Sequence, residues 1–196
     1  MGEKTDQKRE YIITKAGEVF AKKGFLQVTM KDIVEICQIS RGGLYLYFGS
    51  TGEVFHAILS RQLEEEGEDL AVKLTEMKTM SDLLLLFLKE QKKLILQKKE
   101  DLTIATYEYL FSHTAEDETG KLIKDQFRAG ITVLTKILEQ GALRGEFYCE
   151  DPKQEACSIM YSLEGMKICS KTMGLSESQV DRQLLHIVSG LLIEEQ

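Results

Sequence analysis

The segment from Ser40 to Tyr47, SRGGLYLY, carries side chains whose chemistry suits contact with DNA. Arg41 could read a guanine, because its planar guanidinium matches the O6 and N7 acceptors of that base. The phenols of Tyr45 and Tyr47 could donate to phosphate oxygens, which hold a protein in place but carry no base information. The segment therefore predicts noncovalent recognition of double-stranded DNA.

The residues around this segment predict two short helices joined by a tight turn. Thr29 is a suitable N-cap for the first helix and Ser40 for the second, and Gly49 would end the second. Apolar residues follow each cap at helical spacing. They are Ile33, Val34 and Cys37 in the first helix, and Leu44, Tyr45 and Phe48 in the second. This pattern indicates a helix-turn-helix, whose second helix enters the major groove of DNA.

A longer helix is predicted upstream of this pair, from about Lys8 to Lys23. Two short helices cannot bury enough surface to stand alone, so they need a third helix behind them. Its expected buried stripe consists of Ile12, Ile13, Ala16, Val19 and Phe20.

Two adjacent glycines, Gly42 and Gly43, are unusual in so short a helix. Each costs about 1 kcal/mol relative to alanine in a helix interior, so another interaction should compensate. Close approach of the helix backbone to DNA is one such interaction. The alternative is a helical hairpin inside an all-α protein, with the two glycines in a loop.

Composition favours an all-helical protein with an uneven distribution of charge. The 196 residues include one proline and no tryptophan, and 43% of them are hydrophobic. The net charge of −7 argues against a protein that coats nucleic acid nonspecifically. Residues 1–56 hold eight Lys and Arg against seven Asp and Glu, so the acidic excess lies in the rest of the chain. A near-neutral N-terminal part is compatible with site-specific DNA binding.

No sequence motif indicates catalysis, a metal site or a cofactor. The four cysteines form no C-x-x-C pair, and the three histidines fall on three separate predicted helices. No phosphate-binding, dinucleotide-binding or hydrolase motif occurs. We therefore expect no enzymatic activity, no metal and no cofactor. The longest apolar run has six residues, too few to span a membrane, so we expect a cytoplasmic protein.

Residues 16–48, AGEVFAKKGFLQVTMKDIVEICQISRGGLYLYF, resemble the N-terminal domain of the TetR family of bacterial transcriptional regulators. The family pattern has a small residue and an aromatic in helix 1, then Gly-aromatic, Thr, a Val-Ser turn, Gly and an aromatic cluster. The matching residues are Ala16, Phe20, Gly24, Phe25, Thr29, Ile33, Ile39, Ser40, Gly42, Tyr45 and Phe48. So many residue types at fixed offsets favour the helix-turn-helix over the simple hairpin.

Three departures from the family pattern affect the expected DNA contacts. Cys37 and Gln38 stand where the family usually has Ala-Gly, and Tyr47 stands where it usually has His. The sequence Gly-Ser-Thr at 49–51 lacks the lysine that commonly contacts phosphate. The fold should tolerate these changes, but the contacts with DNA phosphates should be weaker or at different positions.

The resemblance implies an all-α protein of about nine helices in two domains. Residues 1–50 would form a three-helix helix-turn-helix domain, and residues 51–196 a larger helical domain for ligand binding and dimerisation. The fourth helix, from Thr51 to about Met77, would connect the two domains and transmit ligand binding by its tilt. The implied DNA-contacting residues are Thr29, Ser40, Arg41, Gly42, Gly43, Tyr45, Leu46, Tyr47 and Thr51.

Five further helices are predicted in the second domain. They are helix 5 (82–99), helix 6 (102–113), helix 7 (121–140), helix 8 after the cap at Asp151, and helix 9 after the cap at Ser176. The apolar faces of helices 8 and 9 are wider than one stripe, and the resemblance implies that they pair with a second copy in a four-helix bundle. The alternative is burial of both faces within one monomer. The expected interface residues are Ile159, Leu163, Met166, Leu184, Val188 and Leu191.

The resemblance also implies a small-molecule effector in a largely apolar cavity between helices 5 and 8. Expected lining residues are Phe87, Tyr107, Glu108, Phe111, Phe127, Tyr161 and Glu164, although packing in the core is the alternative for most of them. The resulting prediction is a homodimeric repressor that an effector releases from its DNA operator. The alternative is a helical small-molecule-binding protein whose degenerate helix-turn-helix does not bind DNA.

Overall fold

The computed structural model describes residues 2–74, 78–98, 100–113 and 117–191, except for the side chains of residues 2–4 and 66–74. Within these ranges the chain forms nine α-helices and no strand, which confirms the predicted all-α fold. None of these helices is both long and apolar enough to cross a bilayer. The helices are α1 (Gly2–Lys23), α2 (Met30–Cys37), α3 (Arg41–Tyr45), α4 (Thr51–Leu74), α5 (Met80–Leu96), α6 (Thr103–Ser112), α7 (Glu118–Leu143), α8 (Pro152–Thr172) and α9 (Glu177–Ser189).

The chain folds into two compact units, which we call unit 1 and unit 2. Unit 1 comprises Met1–Asp69 and Lys99–Lys124, and unit 2 comprises Leu70–Lys98 and Asp125–Gln196. Unit 1 therefore contains α6 and the first residues of α7 in addition to the helix-turn-helix. The expected boundary between residues 50 and 51 separates a DNA-binding domain from a domain for ligand binding and dimerisation, and it does not coincide with the boundaries of the compact units. This division by function stays a prediction.

The core of unit 1 is built on the apolar faces of α1 to α4. All five residues predicted for the buried stripe of the first helix lie inside this core, which confirms that stripe. Ala105 and Tyr109 of α6 belong to the same core. The helix-turn-helix is therefore supported by α6 as well as by α1.

The core of unit 2 brings together α5, α8, α9 and most of α7. Lys92 on α5 also forms ion pairs with Glu177 (2.9 Å) and Asp181 (2.5 Å) at the beginning of α9. Both carboxylates raise the pKa of the Lys92 ammonium, Asp181 most strongly. These contacts connect the N-terminal turns of α9 to α5.

Five of the six residues expected at a dimer interface lie instead in the core of unit 2. Each of these five is at most 9% exposed, and the sixth, Val188, packs partly buried against the same core. Leu184 is therefore not available to a partner, which contradicts its expected place at the interface, whereas Val188 stays partly exposed. The physical reason is that α8 and α9 both pack against α5, which uses the wide apolar faces within one chain. The buried residues are Ile159, Leu163, Met166, Leu184 and Leu191.

Candidate nucleic-acid interface

The helix-turn-helix begins with a fully formed cap at Thr29. The Thr29 hydroxyl accepts a hydrogen bond from the backbone N–H of Asp32 (3.3 Å), and the Asp32 carboxylate accepts one from the N–H of Thr29 (2.8 Å). Lys23, in the last turn of α1, pairs with the same carboxylate at 2.6 Å. Hydrogen bonds from Lys23, and secondarily from Thr29, hold the pKa of Asp32 well below its usual range. The orientation of α2 relative to α1 is thus fixed at a charged contact.

The turn between α2 and α3 depends on Gln38. This residue has φ 51° and ψ 41°, a left-handed backbone conformation that residues other than glycine seldom adopt. Its backbone N–H donates to the carbonyl oxygen of Glu35, and the N–H of Ile39 donates to that of Val34, each at 3.3 Å. The geometry explains why glycine suits this position, and it shows that the chain accepts the conformational cost of glutamine here.

The second helix of the motif, α3, begins at the predicted cap. The Ser40 hydroxyl accepts a hydrogen bond from the N–H of Gly43 at 3.0 Å. Leu44 and, just beyond the helix, Phe48 are buried in the core of unit 1, so one side of this segment faces inward. The helix spans five residues, and a turn carries the chain through Tyr47. The opposite side of the segment is exposed.

The exposed side carries the residues with the predicted DNA chemistry. The guanidinium carbon of Arg41 lies 5.6 Å from the centroid of the Tyr45 ring. This cation–π contact attracts the guanidinium to the ring and limits its motion. Leu46 is 84% exposed, so it offers an apolar side chain beside these polar ones. A methyl group added at Gly42 would meet no atom within 4 Å. The surface around α3 is therefore open to solvent, and Arg41 lies on it beside the Tyr45 ring.

Two residues border this surface: Tyr47, in the turn after α3, and Thr51, the first residue of α4. The Ser50 hydroxyl accepts a hydrogen bond from the N–H of Glu53 (3.2 Å), and the Glu53 carboxylate accepts one from the N–H of Gly49 (2.8 Å). The first helical residue, Thr51, agrees with the predicted beginning of the fourth helix. Thr51 and Tyr47 are both half-buried, and they line one open cleft together.

Sequence reasoning did not predict the contribution of α6 to the helix-turn-helix unit. The carboxylate of Glu108 accepts a hydrogen bond from the backbone N–H of Leu26 at 3.0 Å, in the connection between α1 and α2. Gly24 has φ 77° and lies so near this carboxylate that an added Cβ would collide with it. The glycine at the end of the first helix is a local signal, but nothing in the sequence pairs it with a residue 84 positions later.

Aromatic rings extend the same contact between α6 and the helix-turn-helix. The Tyr109 ring meets that of Phe25 edge to face, with centroids 4.7 Å apart, and stacks on the His113 ring at 4.2 Å. The Tyr109 hydroxyl donates to Asp117 at 2.7 Å. Burial, and then this bond, raise the pKa of the Tyr109 phenol, while the bond lowers that of Asp117. Tyr109 therefore holds α6 in place through its ring, which contacts Phe25, and through its hydroxyl, which binds Asp117.

The residues expected to line an effector cavity are divided between the two units. Glu108 already binds the α1–α2 connection, and Phe111 is 84% exposed. In unit 2 the rings of Phe127 and Tyr161 stack with centroids 5.8 Å apart. An effector site formed by the whole set stays a prediction. Tyr107, Glu108 and Phe111 belong to unit 1, and Phe87, Phe127, Tyr161 and Glu164 belong to unit 2.

The histidines and cysteines do not cluster. Nδ1 of His56 lies 3.2 Å from the Thr119 hydroxyl, and His186 is exposed. Within the described part of the chain, no three His, Cys, Asp or Glu side chains are arranged to hold a metal ion. Cys37, Cys149, Cys157 and Cys169 are free thiols, the first of them buried.

Together, a capped α2 and α3, an inward apolar side and an exposed arginine define the DNA-binding domain of a helix-turn-helix transcriptional regulator. Comparison with known proteins identifies the family. A family model described as bacterial regulatory proteins of the tetR family matches residues 12–58. A second, described as a tetracyclin repressor-like C-terminal domain, matches residues 83–181. The chain belongs to the TetR family of bacterial transcriptional regulators.

Individual relatives agree with this assignment. The helix-turn-helix-type transcriptional regulator YfiR of Bacillus subtilis (strain 168) is 31% identical over 150 residues, which are 76% of this chain and 73% of that protein. A transcriptional regulator from Saccharomonospora viridis, in complex with choline, superposes with a TM-score of 0.85 at 15% identity, over 96% of this chain and all of that one. AibR, in complex with isovaleryl coenzyme A and operator DNA, gives 0.69 at 17% identity, over 90% and 96%. The chain is thus a DNA-binding regulator, and nothing in these comparisons favours the alternative that does not bind DNA.

Proposed function

We propose that this regulator is a homodimeric repressor that binds an operator through α3 and leaves it when a small, largely apolar effector binds. The observation that carries the DNA-reading role is the exposed Arg41 held over Tyr45, beside an open Gly42. The proposed DNA-contacting set is the predicted one, Thr29, Ser40, Arg41, Gly42, Gly43, Tyr45, Leu46, Tyr47 and Thr51. Thr29 and Ser40 also cap their helices, so their contribution includes positioning.

The effector and the dimer are supported by separate observations. Structures of the same fold hold choline in one protein and isovaleryl coenzyme A in another, which supports an effector of some kind here. Dimerisation through α8 and α9 is supported by exposed apolar side chains on both helices, at Tyr161, Ile168 and Leu185. We further propose that the protein acts in the cytoplasm and has no enzymatic activity.

Replacement of Arg41 tests the reading role directly. Arg41→Ala should weaken binding to the preferred duplex by about 1–3 kcal/mol and relax the preference at one base position, because alanine cannot make the bidentate hydrogen bonds to guanine. Tyr45→Phe and Tyr47→Phe should weaken binding to all duplexes alike, since a hydroxyl on phosphate carries no base information. The measurement is selection of binding sites from a random duplex library with each variant.

The outcomes separate the possible roles of Arg41. An unchanged base preference together with uniformly weaker binding would show that Arg41 contacts phosphate only. Absence of any selected duplex with the unmodified protein would overturn the proposed repressor function. Arg128→Gln, at an exposed arginine of unit 2, is the matched control and should leave both affinity and preference unchanged.

A further inference from the structure

Cations are scarce around the recognition segment, although neutralisation of phosphates by Lys and Arg supplies much of the affinity of proteins for DNA. Between Asp32 and Arg61 the sequence holds a single lysine or arginine, Arg41. The connection between α3 and α4 and the first turns of α4 therefore provide no cation of their own. A second cation for the DNA backbone has to come from another element of unit 1.

Arg9 of α1 reaches this region. Its guanidinium carbon lies 5.3 Å from the centroid of the Phe48 ring, and Phe48 is buried in the core. Arg9 also lines an open cleft of about 690 Å³ with Tyr47, Ser50 and Thr51, and no other lysine or arginine of the described residues lines it. The fold thus brings one arginine from the first helix to two of the expected DNA-contacting residues.

The partners of Arg9 leave its charge available. Its ion pair is with the adjacent Glu10 at 3.6 Å, between side chains that are 46% and 52% exposed. Exposed pairs of this kind contribute little, about 0–1 kcal/mol, so a phosphate could replace the carboxylate at small cost. Three carboxylates line the cleft. Glu53 accepts from Gly49, and Asp117 accepts from Tyr109 and Gly120, while Glu118 is exposed at the beginning of α7.

We propose that Arg9 binds a phosphate of the DNA backbone next to Tyr47 and Thr51, and so positions α3 on its site. The inference rests on the proposed function. The cation–π contact with the Phe48 ring limits the motion of the guanidinium, so less side-chain entropy is lost when its N–H groups bind phosphate. Because the bound group belongs to the DNA backbone, Arg9 adds affinity without base preference.

The test measures affinity against salt concentration for a duplex selected by the unmodified protein and for a scrambled duplex. Arg9→Gln should weaken binding to both duplexes by the same factor and make the slope of log K against log salt shallower by about 0.9 for each phosphate that is no longer neutralised. Arg9→Lys should keep the slope, because the charge remains. Arg128→Gln, which removes an exposed arginine of unit 2, is the control and should change neither quantity.

The results distinguish this inference from the function on which it rests. An unchanged slope in Arg9→Gln, with a lower melting temperature, would show that the arginine only stabilises unit 1 through Phe48, and would overturn the inference alone. A changed base preference in that variant would overturn it too, since Arg9 would then touch a base. Failure of the unmodified protein to select any duplex would overturn both.

Discussion

At the scale of single residues, Gly42 shows how an exposed position can be constrained from outside the chain. An added methyl group would meet no atom within 4 Å, and the backbone of Gly42 is helical rather than left-handed. Neither packing within the chain nor backbone conformation therefore requires glycine. A helix in the major groove would supply the missing reason, because the backbone of α3 can approach the DNA closely only where there is no side chain.

We expect Gly42→Ala to stabilise the protein and weaken its binding to DNA. Stability should rise by about 0.5–1 kcal/mol, because alanine is the better helix former and meets no clash. Affinity for the selected duplex should fall, since the methyl group would lie between α3 and the DNA. Urea unfolding and fluorescence anisotropy measure the two effects.

The matched control is Gly17→Ala on α1, where an added methyl group would meet only Ile58, at an ordinary contact distance of 3.8 Å. It should raise stability by a similar amount and leave DNA affinity unchanged. If Gly42→Ala bound DNA as tightly as the unmodified protein, close backbone approach at this position would be excluded.

Residues whose role depends on local chemistry are predictable from the sequence. Residue type alone predicts the caps at Thr29, Ser40 and Ser176, and each accepts the expected backbone hydrogen bond. The expected end of helix 7 before Gly141 is wrong, because the helix continues to Leu143. Gly141 is instead the site where the Phe147 ring packs against the backbone so closely that no Cβ would fit.

At the scale of elements, α6 is bound to the connection between α1 and α2 by a single charged acceptor. Glu108 accepts from Leu26, and the left-handed Gly24 leaves room for the carboxylate. Because this hydrogen bond is exposed to solvent, its net contribution is that of an ordinary hydrogen bond, about 0.5–1.5 kcal/mol. The geometry of the helix-turn-helix is thus coupled to an element 82 residues further along the chain.

We expect Glu108→Ala to destabilise unit 1 by about 0.5–1.5 kcal/mol, because water replaces the carboxylate as the acceptor for the exposed Leu26 amide. Glu108→Gln keeps an uncharged acceptor and should cost less. Urea unfolding measures both, with Glu139→Ala on the exposed side of α7 as the control. Equal stability of Glu108→Ala and the unmodified protein would show that the hydrogen bond contributes nothing to the unit.

The position of α6 is not predictable from the sequence because its signals are not local. Periodicity indicates which face of a helix is buried, but it does not say which partner covers that face. The family resemblance implies an effector cavity with a few polar residues among apolar ones, and Glu108 is expected there for that reason. Only the fold shows that Glu108 meets Leu26 instead, and that the neighbouring Tyr109 meets Phe25.

At the scale of the whole molecule, two helices run continuously through both compact units. α4 belongs to unit 1 up to Asp69 and to unit 2 beyond it, and α7 passes from one unit to the other after Lys124. The expectation that the fourth helix connects the two predicted domains and transmits ligand binding by its tilt stays a prediction.

Dimerisation depends on which apolar side chains of α8 and α9 stay exposed, rather than on the total apolar content of these helices. Apolar width on α8 and α9 predicts a shared bundle, but most of that width covers the core of one chain. The residues left for a partner are those that stay exposed, and on α9 the large apolar one is Leu185, which is 64% exposed. Its neighbour Leu184 is 9% exposed and belongs to the core.

This adjacent pair provides a sharp test of the proposed dimer. Leu185→Glu should yield monomers of unchanged helicity, because a symmetric interface would place each new carboxylate in an apolar contact with the partner. Leu184→Glu should instead lower helicity and the melting temperature, since it buries an unpaired charge in unit 2. Sedimentation equilibrium and circular dichroism separate the two effects. A stable dimer in Leu185→Glu would remove this face of α9 from the interface and leave the exposed face of α8, around Ile168, to carry the association.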